Sequence, residues 1–367
     1  MTYYLGVCFL RIETEIKLDF ADVLIRPKRS TLTSRADVTL EREFSFLHSP
    51  KKWKGVPIVA ANMDSTGTFE MARALSTHGM ITALHKYYSV DELEKFFAEF
   101  NQPSRVAFTL GIRDEDFAKL AQVKKRDLGK YFDFIVLDVP NGYLGRFVDA
   151  VKHVRKEFPQ HIIVAGNVVT NEMTEELLLE GADIVKVGIG PGGACTTRRK
   201  TGVGYPQLSA TIECADAAHG ISSNSKEKGC GLIMTDGGFV YSSCIAKAFC
   251  GGADFVMSGT MLASFDQSGG ELVERDGKKY KHHFGSSSSE ALKKYYGKID
   301  AHRASEGRDM YLPYQGDIHP FLLDVLGSLR STATYIGART LKEFSRRATF
   351  LHVSRQLNDA FEQYDKE

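Results

Sequence analysis

The stretch Ala182-Asp183-Ile184-Val185-Lys186-Val187-Gly188-Ile189-Gly190-Pro191-Gly192-Gly193-Ala194-Cys195-Thr196-Thr197-Arg198 runs from an apolar segment into a loop with four glycines, one thiol, two hydroxyls and an arginine. The apolar segment reads as a short buried strand, and the glycines let the backbone turn tightly and come close to a ligand. Apart from Ile189 and Ala194 the loop has no aliphatic bulk that would make it core. A cysteine in such a loop is either structural or reactive. Here the glycines leave the thiol uncovered, and Arg198 with the loop's amide dipoles would lower its pKa, which points to a nucleophile.

Strands of this kind recur along the chain. Val56 to Ala61, Ile81 to Leu84, Val106 to Leu110, Phe134 to Leu137, Ile162 to Ala165, Ile184 to Val187, Leu232 to Met234 and Phe255 to Met257 are short and continuously apolar. Most are separated by segments of helical period, such as Thr68 to His78, Ser89 to Phe100 and Asn171 to Glu180. Strands apolar on both faces that alternate with helices belong to a parallel sheet covered on the outside. Eight of them favour an α/β fold of the (β/α)8 TIM-barrel type over a doubly wound sheet. Nearly every strand runs into a polar or glycine-rich loop: Asn62-Met63-Asp64, His85-Lys86, Asp138 to Gly142, Gly166-Asn167, Gly188 to Arg198, Asp236-Gly237-Gly238 and Ser258-Gly259. In a barrel such loops converge on the C-terminal mouth, where sites are built. No GxGxxG follows a strand with an acidic residue at the right distance, which argues against a Rossmann cofactor site.

The 367 residues, 43% of them hydrophobic, suffice for one large barrel. A net charge of +1 gives no basic field for nucleic acid, so the expected partners are small molecules or other subunits. The six cysteines (Cys8, Cys195, Cys214, Cys230, Cys244, Cys250) show neither CxxC pairing nor zinc-ligand spacing, which suits free thiols in a reducing compartment. Tyr3 to Leu10 is apolar but short and lacks a basic flank. Neither a signal peptide nor a membrane span is expected, and the location expected is cytoplasmic.

Residues 1–50 form a polar, irregular extension before the barrel, within which Phe20 to Ser30 reads as a solvated basic turn. After the eighth strand, Asp266 to Ser289 is rich in glycine, serine and charge and holds the turn Arg275-Asp276-Gly277-Lys278; it reads as a hairpin, a mobile flap or a disordered insert. The flap region as a whole would span about residues 266–302. A helix is predicted from about Pro320 to Ser331 and a terminal helix from Thr340 to Tyr364, while Ser222 to Gly229 reads as a surface loop.

Gly188 to Arg198, Asp236-Gly237-Gly238, Ala61-Asn62-Met63-Asp64, Gly166-Asn167-Val168 and Arg303 to Gly307 together resemble the purine-nucleotide oxidoreductase family of IMP dehydrogenase and GMP reductase. The likeness runs from about Leu18 to Phe361, and so ordered a set of motifs is highly specific. Leu24 to Ser30, Ala61 to Asp64 and Gly202 to Ala210 follow the reductase pattern. The dehydrogenase usually carries regulatory modules after the second barrel strand; here Leu84 passes directly into an ordinary helix, so one barrel domain is expected throughout.

The resemblance implies the reaction GMP + NADPH + H⁺ → IMP + NADP⁺ + NH₃. Cys195 would attack C2 of the purine, ammonia would leave to give a thioimidate, and hydride would then arrive at an activated carbon. Thr197 and Glu306 would relay the proton to the departing amine. The glycines of Gly237-Gly238 and of Gly259-Thr260 would present N–H groups to the phosphate, and Asp236 would accept from the ribose hydroxyls. Gly285, Ser286, Ser287, Arg303, Ser305 and Gly307 would close over the base. Lys86, Asp138 and Asn167 would contact NADPH along its nicotinamide half, and Ser286, His302 and Arg303 would also bind the cofactor. Ser34, Arg35 and Ser331 would reach its other end, partly from a neighbouring subunit of a homotetramer. Carbonyls of Gly190, Gly192 and Cys195 would hold a monovalent cation such as K⁺. The chain departs from the family pattern at Ser286 (generally methionine), His302 (tyrosine), Pro140 (alanine) and Gly193-Ala194 (Ser-Val or Ser-Ile). Two other readings are an IMP dehydrogenase, whose flap would need an Arg-Tyr pair absent from Asp266 to Ser289, and a non-catalytic nucleotide-binding barrel.

Overall fold

A computed structural model describes residues 12–222, 229–285, 288–296 and 305–354. Eight parallel strands form a closed barrel: β1 (Ile58–Ala60), β2 (Ile81–Ala83), β3 (Val106–Leu110), β4 (Phe134–Asp138), β5 (Ile162–Val168), β6 (Ile184–Val187), β7 (Leu232–Asp236) and β8 (Phe255–Ser258). Each strand pairs with the next in sequence and β8 returns to β1, so every one of the apolar runs became a barrel strand. Where the runs stop short, the ladder continues: β5 carries on through Gly166 and Asn167 to Val168 and β7 through Thr235 to Asp236.

The barrel helices begin where the sequence supplies an acceptor for their free N–H groups. Thr68 Oγ1 accepts from Met71 N at the start of Phe69–Ser76, and Ser89 with Glu92 forms a capping box on Val90–Glu99. The latter helix follows β2 after a short turn. Inside the barrel, Val136, Val164, Ile184, Met234 and Met257 share one cluster with Phe44, Phe46 and Trp53. Those three aromatics come from the hairpin Arg42–Ser45/Lys52–Gly55, which closes the N-terminal end: Trp53 is 1% exposed and its ring lies 5.3 Å from that of Phe255. The bottom is therefore plugged by rings, and the open end is the C-terminal mouth.

Three segments differ from the sequence expectations. Within Phe20 to Ser30 the chain is not only a solvated turn, since Val23–Ile25 forms a strand with Val23 1% exposed. The terminal helix does not run from Thr340 to Tyr364: a short helix stops at Arg347, and Phe350–His352 pairs antiparallel with Val23–Ile25. Phe350 and Ile25 face the same outer core, which rewards the extended pairing over continued helix. The preceding helix runs His319–Ile336, beyond the expected Ser331, and ends at Gly337, whose φ of +72° takes the chain out of the helical region. Beyond β8, Leu272–Arg275 and Lys278–Phe284 form the hairpin foreseen around Asp276-Gly277, both at positive φ as a tight two-residue turn requires. A further strand, Asp309–Pro313, adds to it as a three-stranded flap sheet. Ser222 and Cys230 bridge across the intervening loop, whose residues 223–228 lie outside the described residues.

Candidate active site

The mouth holds a cavity of about 240 Å³, lined from the ends of β1, β4, β5, β6, β7 and β8 and from the flap. The β6 loop forms its reactive wall. Gly188 has φ +152°, and a Cβ there would meet the carbonyl oxygen of Asp236 at 2.4 Å, so only glycine lets the loop leave the barrel this close to β7. Cys195 Sγ then sits 3.2 Å from Thr197 Oγ1, which donates to Glu306 Oε2 at 2.6 Å. A carboxylate only accepts, so the threonine hydrogen is committed to Glu306 and the thiol is the donor to Thr197. The three groups form a directed line, S–H to O–H to carboxylate.

Glu306 is brought there by the backbone. Thr196 N donates to Glu306 O at 2.7 Å and Arg308 N to Ala194 O at 3.0 Å, a one-residue β-bridge between Cys195 and Gly307. Arg308 Nε adds a bond to Gly193 O at 2.8 Å. The flap is also fastened at the far side of the mouth, where Tyr295 Oη donates to Asp64 Oδ2 at 2.7 Å and the Tyr295 ring stacks on Tyr87. His283, 0% exposed, joins the flap to both neighbouring loops through Ser65 Oγ (2.7 Å) and Thr260 Oγ1 (3.3 Å). Burial pushes its pKa down to about 4, so the ring is neutral in neutral solution.

The floor is ionic. Lys186, 3% exposed, lies 2.7 Å from Asp138 Oδ1 and 2.6 Å from Asp236 Oδ2. Asn62 Nδ2 donates to the second oxygen of Asp138, and Asn167 Nδ2 donates to Asp236. Burial disfavours both charged forms, yet the contacts outweigh it: the Lys186 ammonium is held protonated above the ordinary lysine range and the Asp138 carboxyl below the ordinary aspartate range. Gln207, fully buried, ties the β6 and β7 ends together by donating to Val187 O and Asp236 O.

Of the residues expected from sequence, Cys195, Thr197, Glu306, Asp236, Gly237, Gly238, Gly259, Thr260, Gly285, Gly307, Asp138, Asn167, Gly190 and Gly192 all line the cavity. Ser305 stands next to Glu306, its hydroxyl 3.4 Å from Gly307 O. Lys86 is directed to Asp116 at 4.0 Å, off the lining. Ser34 and Arg35 are exposed at a 3-10 turn and Ser331 lies in the helix His319–Ile336, all outside this chain's cavity. Ser286, Ser287, His302 and Arg303 lie outside the described residues. Arg198, expected to act on the thiol, is engaged by Asp19 Oδ2 at 2.9 Å and by the Tyr205 carbonyl, with its stem against Gly190 and Gly204, so its charge is paired with a carboxylate. Lys186 had a signal that pattern reading passed over, because a lysine in an otherwise apolar strand demands a buried counter-charge.

The family model described as IMP dehydrogenase / GMP reductase domain matches residues 17–359. The chain belongs to this IMP dehydrogenase / GMP reductase family. Among curated proteins it is 54% identical over 359 residues to "GMP reductase" of Ascaris suum, covering 97% of this chain and 98% of that protein. It is 54% identical over 353 residues to "GMP reductase 2" of Homo sapiens, covering 95% and 98%. In this member of the family, the cavity places a thiol, a hydroxyl hydrogen-bonded to a carboxylate, and a carboxylate-bearing floor around one space, an arrangement suited to covalent chemistry on a polar ring.

Proposed function

We propose that the chain reductively deaminates GMP to IMP and ammonia with NADPH. The observation that carries this reading is the continuous line from Cys195 Sγ through Thr197 Oγ1 to Glu306 Oε2. Transfer of the thiol proton along it leaves a thiolate able to add to C2 of the purine, and the proton, returned through Thr197, goes to the amine as it departs. A bound NADPH supplies the hydride. Asp138 and Asn167 would hold its nicotinamide half, and the buried Asn167 Oδ1, which has no donor among the described residues, fits a carboxamide N–H. Asp236 Oδ1 accepts no hydrogen bond from any described residue and remains available to the ribose of GMP.

The same loop suits a monovalent cation such as K⁺. The carbonyls of Gly190 and Cys195 accept no hydrogen bond from a described residue, and that of Gly192 accepts only Cys195 N at 3.0 Å. Position also supports a homotetramer with shared sites, because Ser34, Arg35 and Ser331 serve NADPH only if a second subunit presents its cavity to them. The five described cysteines are free, which supports a cytoplasmic location. The experiment that tests the activity is absorbance at 340 nm: a fall with GMP plus NADPH, and the release of ammonia, are expected. A rise with IMP plus NAD⁺, without reaction of GMP, would assign the dehydrogenase activity instead, and silence with both would leave a binding barrel.

A further inference from the structure

Asp138, Gly166 and Lys186 lie in one row across β4, β5 and β6, as the strand registers pair Asp138 with Gly166 and Gly166 with Lys186. Asp236 stands at the end of β7, beside the same lysine. The glycine in the middle of the row is a steric requirement. A Cβ at Gly166 would stand 2.7 Å from Lys186 Cβ and 2.3 Å from Lys186 O. With that space open, the Lys186 stem crosses the intervening strand and its ammonium meets both carboxylates at 2.6–2.7 Å.

We infer that Lys186 is a positioning residue that sets the direction and charge of Asp138 and Asp236 together, and so couples the cofactor half of the site to the substrate half. The inference rests on the proposed activity for the roles of the two aspartates. Its physical basis is that one buried cation serves two anions. Lys186 has no other charged partner among the described residues, and the remaining acceptor of Asp138 is hydrogen-bonded by the neutral Asn62, with the Lys86 ammonium acting on that carboxylate only from a distance. Without the ammonium, two carboxylates face each other across a largely desolvated floor, and the least costly relief is for one to take up a proton or swing away. Either response spoils an acceptor on which a ligand depends. An ordinary buried structural lysine would not link two ligands in this way.

The test uses the whole chain and three variants, with wild-type turnover of GMP and NADPH as the control for the activity itself. If wild type does not turn over, the proposed activity has failed, whatever the variants do. Lys186→Met keeps the stem and removes the charge. It is expected to raise KM for both GMP and NADPH by about 10-fold or more and to lower kcat/KM roughly 100-fold, while Lys186→Arg recovers most of both. In calorimetry, Lys186→Met/Asp138→Asn should bind GMP more tightly than Lys186→Met, because neutralising the cofactor-side carboxylate relieves the substrate-side one. A folded Lys186→Met with both KM values within about twofold of wild type would overturn the inference, as would equal GMP affinity in the single and double variants. If Lys186→Met does not fold, Lys186→Gln takes its place in the KM and calorimetric comparisons, with the same outcomes for and against.

Discussion

Thr197 Oγ1 lies 2.6 Å from Glu306 Oε2 and 3.2 Å from Cys195 Sγ, so a single hydroxyl links the loop thiol to a carboxylate 109 positions beyond Thr197 in the chain. Because the carboxylate is the terminal acceptor, its loss should be felt most where a proton must move. Glu306→Gln is expected to slow ammonia release from GMP by about 10²–10⁴. The hydride step starting from IMP and NADP⁺ should suffer less, since it needs the thiolate but no protonated amine. Single-turnover measurements of the two steps check this, and equal losses would make Glu306 a positioning group only.

Removal of the thiol separates binding from chemistry. Cys195→Ala loses the thiol's contact with Thr197 but keeps the backbone anchors of the loop, the Cys195 N bond to Gly192 O and the bridge to Gly307. The variant is expected to bind GMP within a few-fold of wild type by calorimetry and to show no turnover at 340 nm. Substantial residual turnover would take the cysteine out of the mechanism.

The neutral, buried His283 makes stability depend on pH. Its folded pKa is about 4 against 6.5 for an unperturbed histidine, so between these values the unfolded chain takes up a proton that the folded chain refuses. The contribution is present above pH 6.5 and is lost as pH falls toward 4, by about 2 kcal/mol at about pH 5. Urea unfolding near pH 7.5 and near pH 5 should therefore show a smaller drop for His283→Asn than for wild type. The same drop in both proteins would refute the assignment. His85, whose pKa burial also lowers to about 4, supplies part of the remaining slope.

Arg35 tests the shared site. Exposed and outside its own chain's cavity, it is expected on Arg35→Ala to raise KM for NADPH about 10-fold and leave that for GMP nearly unchanged. Full specific activity in a species that light scattering shows to be monomeric would sink the shared-site reading.

The barrel was legible because its strands are buried on both faces and so stand out as unbroken apolar runs such as Val106 to Leu110. The strand Val23–Ile25 was not, because what makes it a strand is Phe350–His352, more than three hundred residues away. The same non-local pairing ended the helix expected through Tyr364. At the site, Cys195, Thr197 and Glu306 could be named from their motifs, yet their spacing in space came only with the bridge between Cys195 and Gly307. The pairing of Arg198 with Asp19 was not legible either, since sequence proximity to the thiol says nothing of a carboxylate 179 positions away. Lys186 escaped notice for a related reason: a charge inside an apolar run has meaning only beside the strands that flank it.

Trp53 is the chain's single tryptophan, and it is sealed among Phe44, Phe134 and Phe255 with its indole N–H donated to Ser104 O at 2.7 Å. It stands at the end of the barrel opposite Cys195, so its fluorescence is a built-in optical gauge of folding that substitutions at the mouth leave alone. An indole in so dry a setting emits to the blue and shifts to the red when water reaches it. Every variant above can thus be sorted by excitation near 295 nm before any substrate is added: unchanged emission marks a lesion in chemistry, and a red shift marks a barrel that has come open from below.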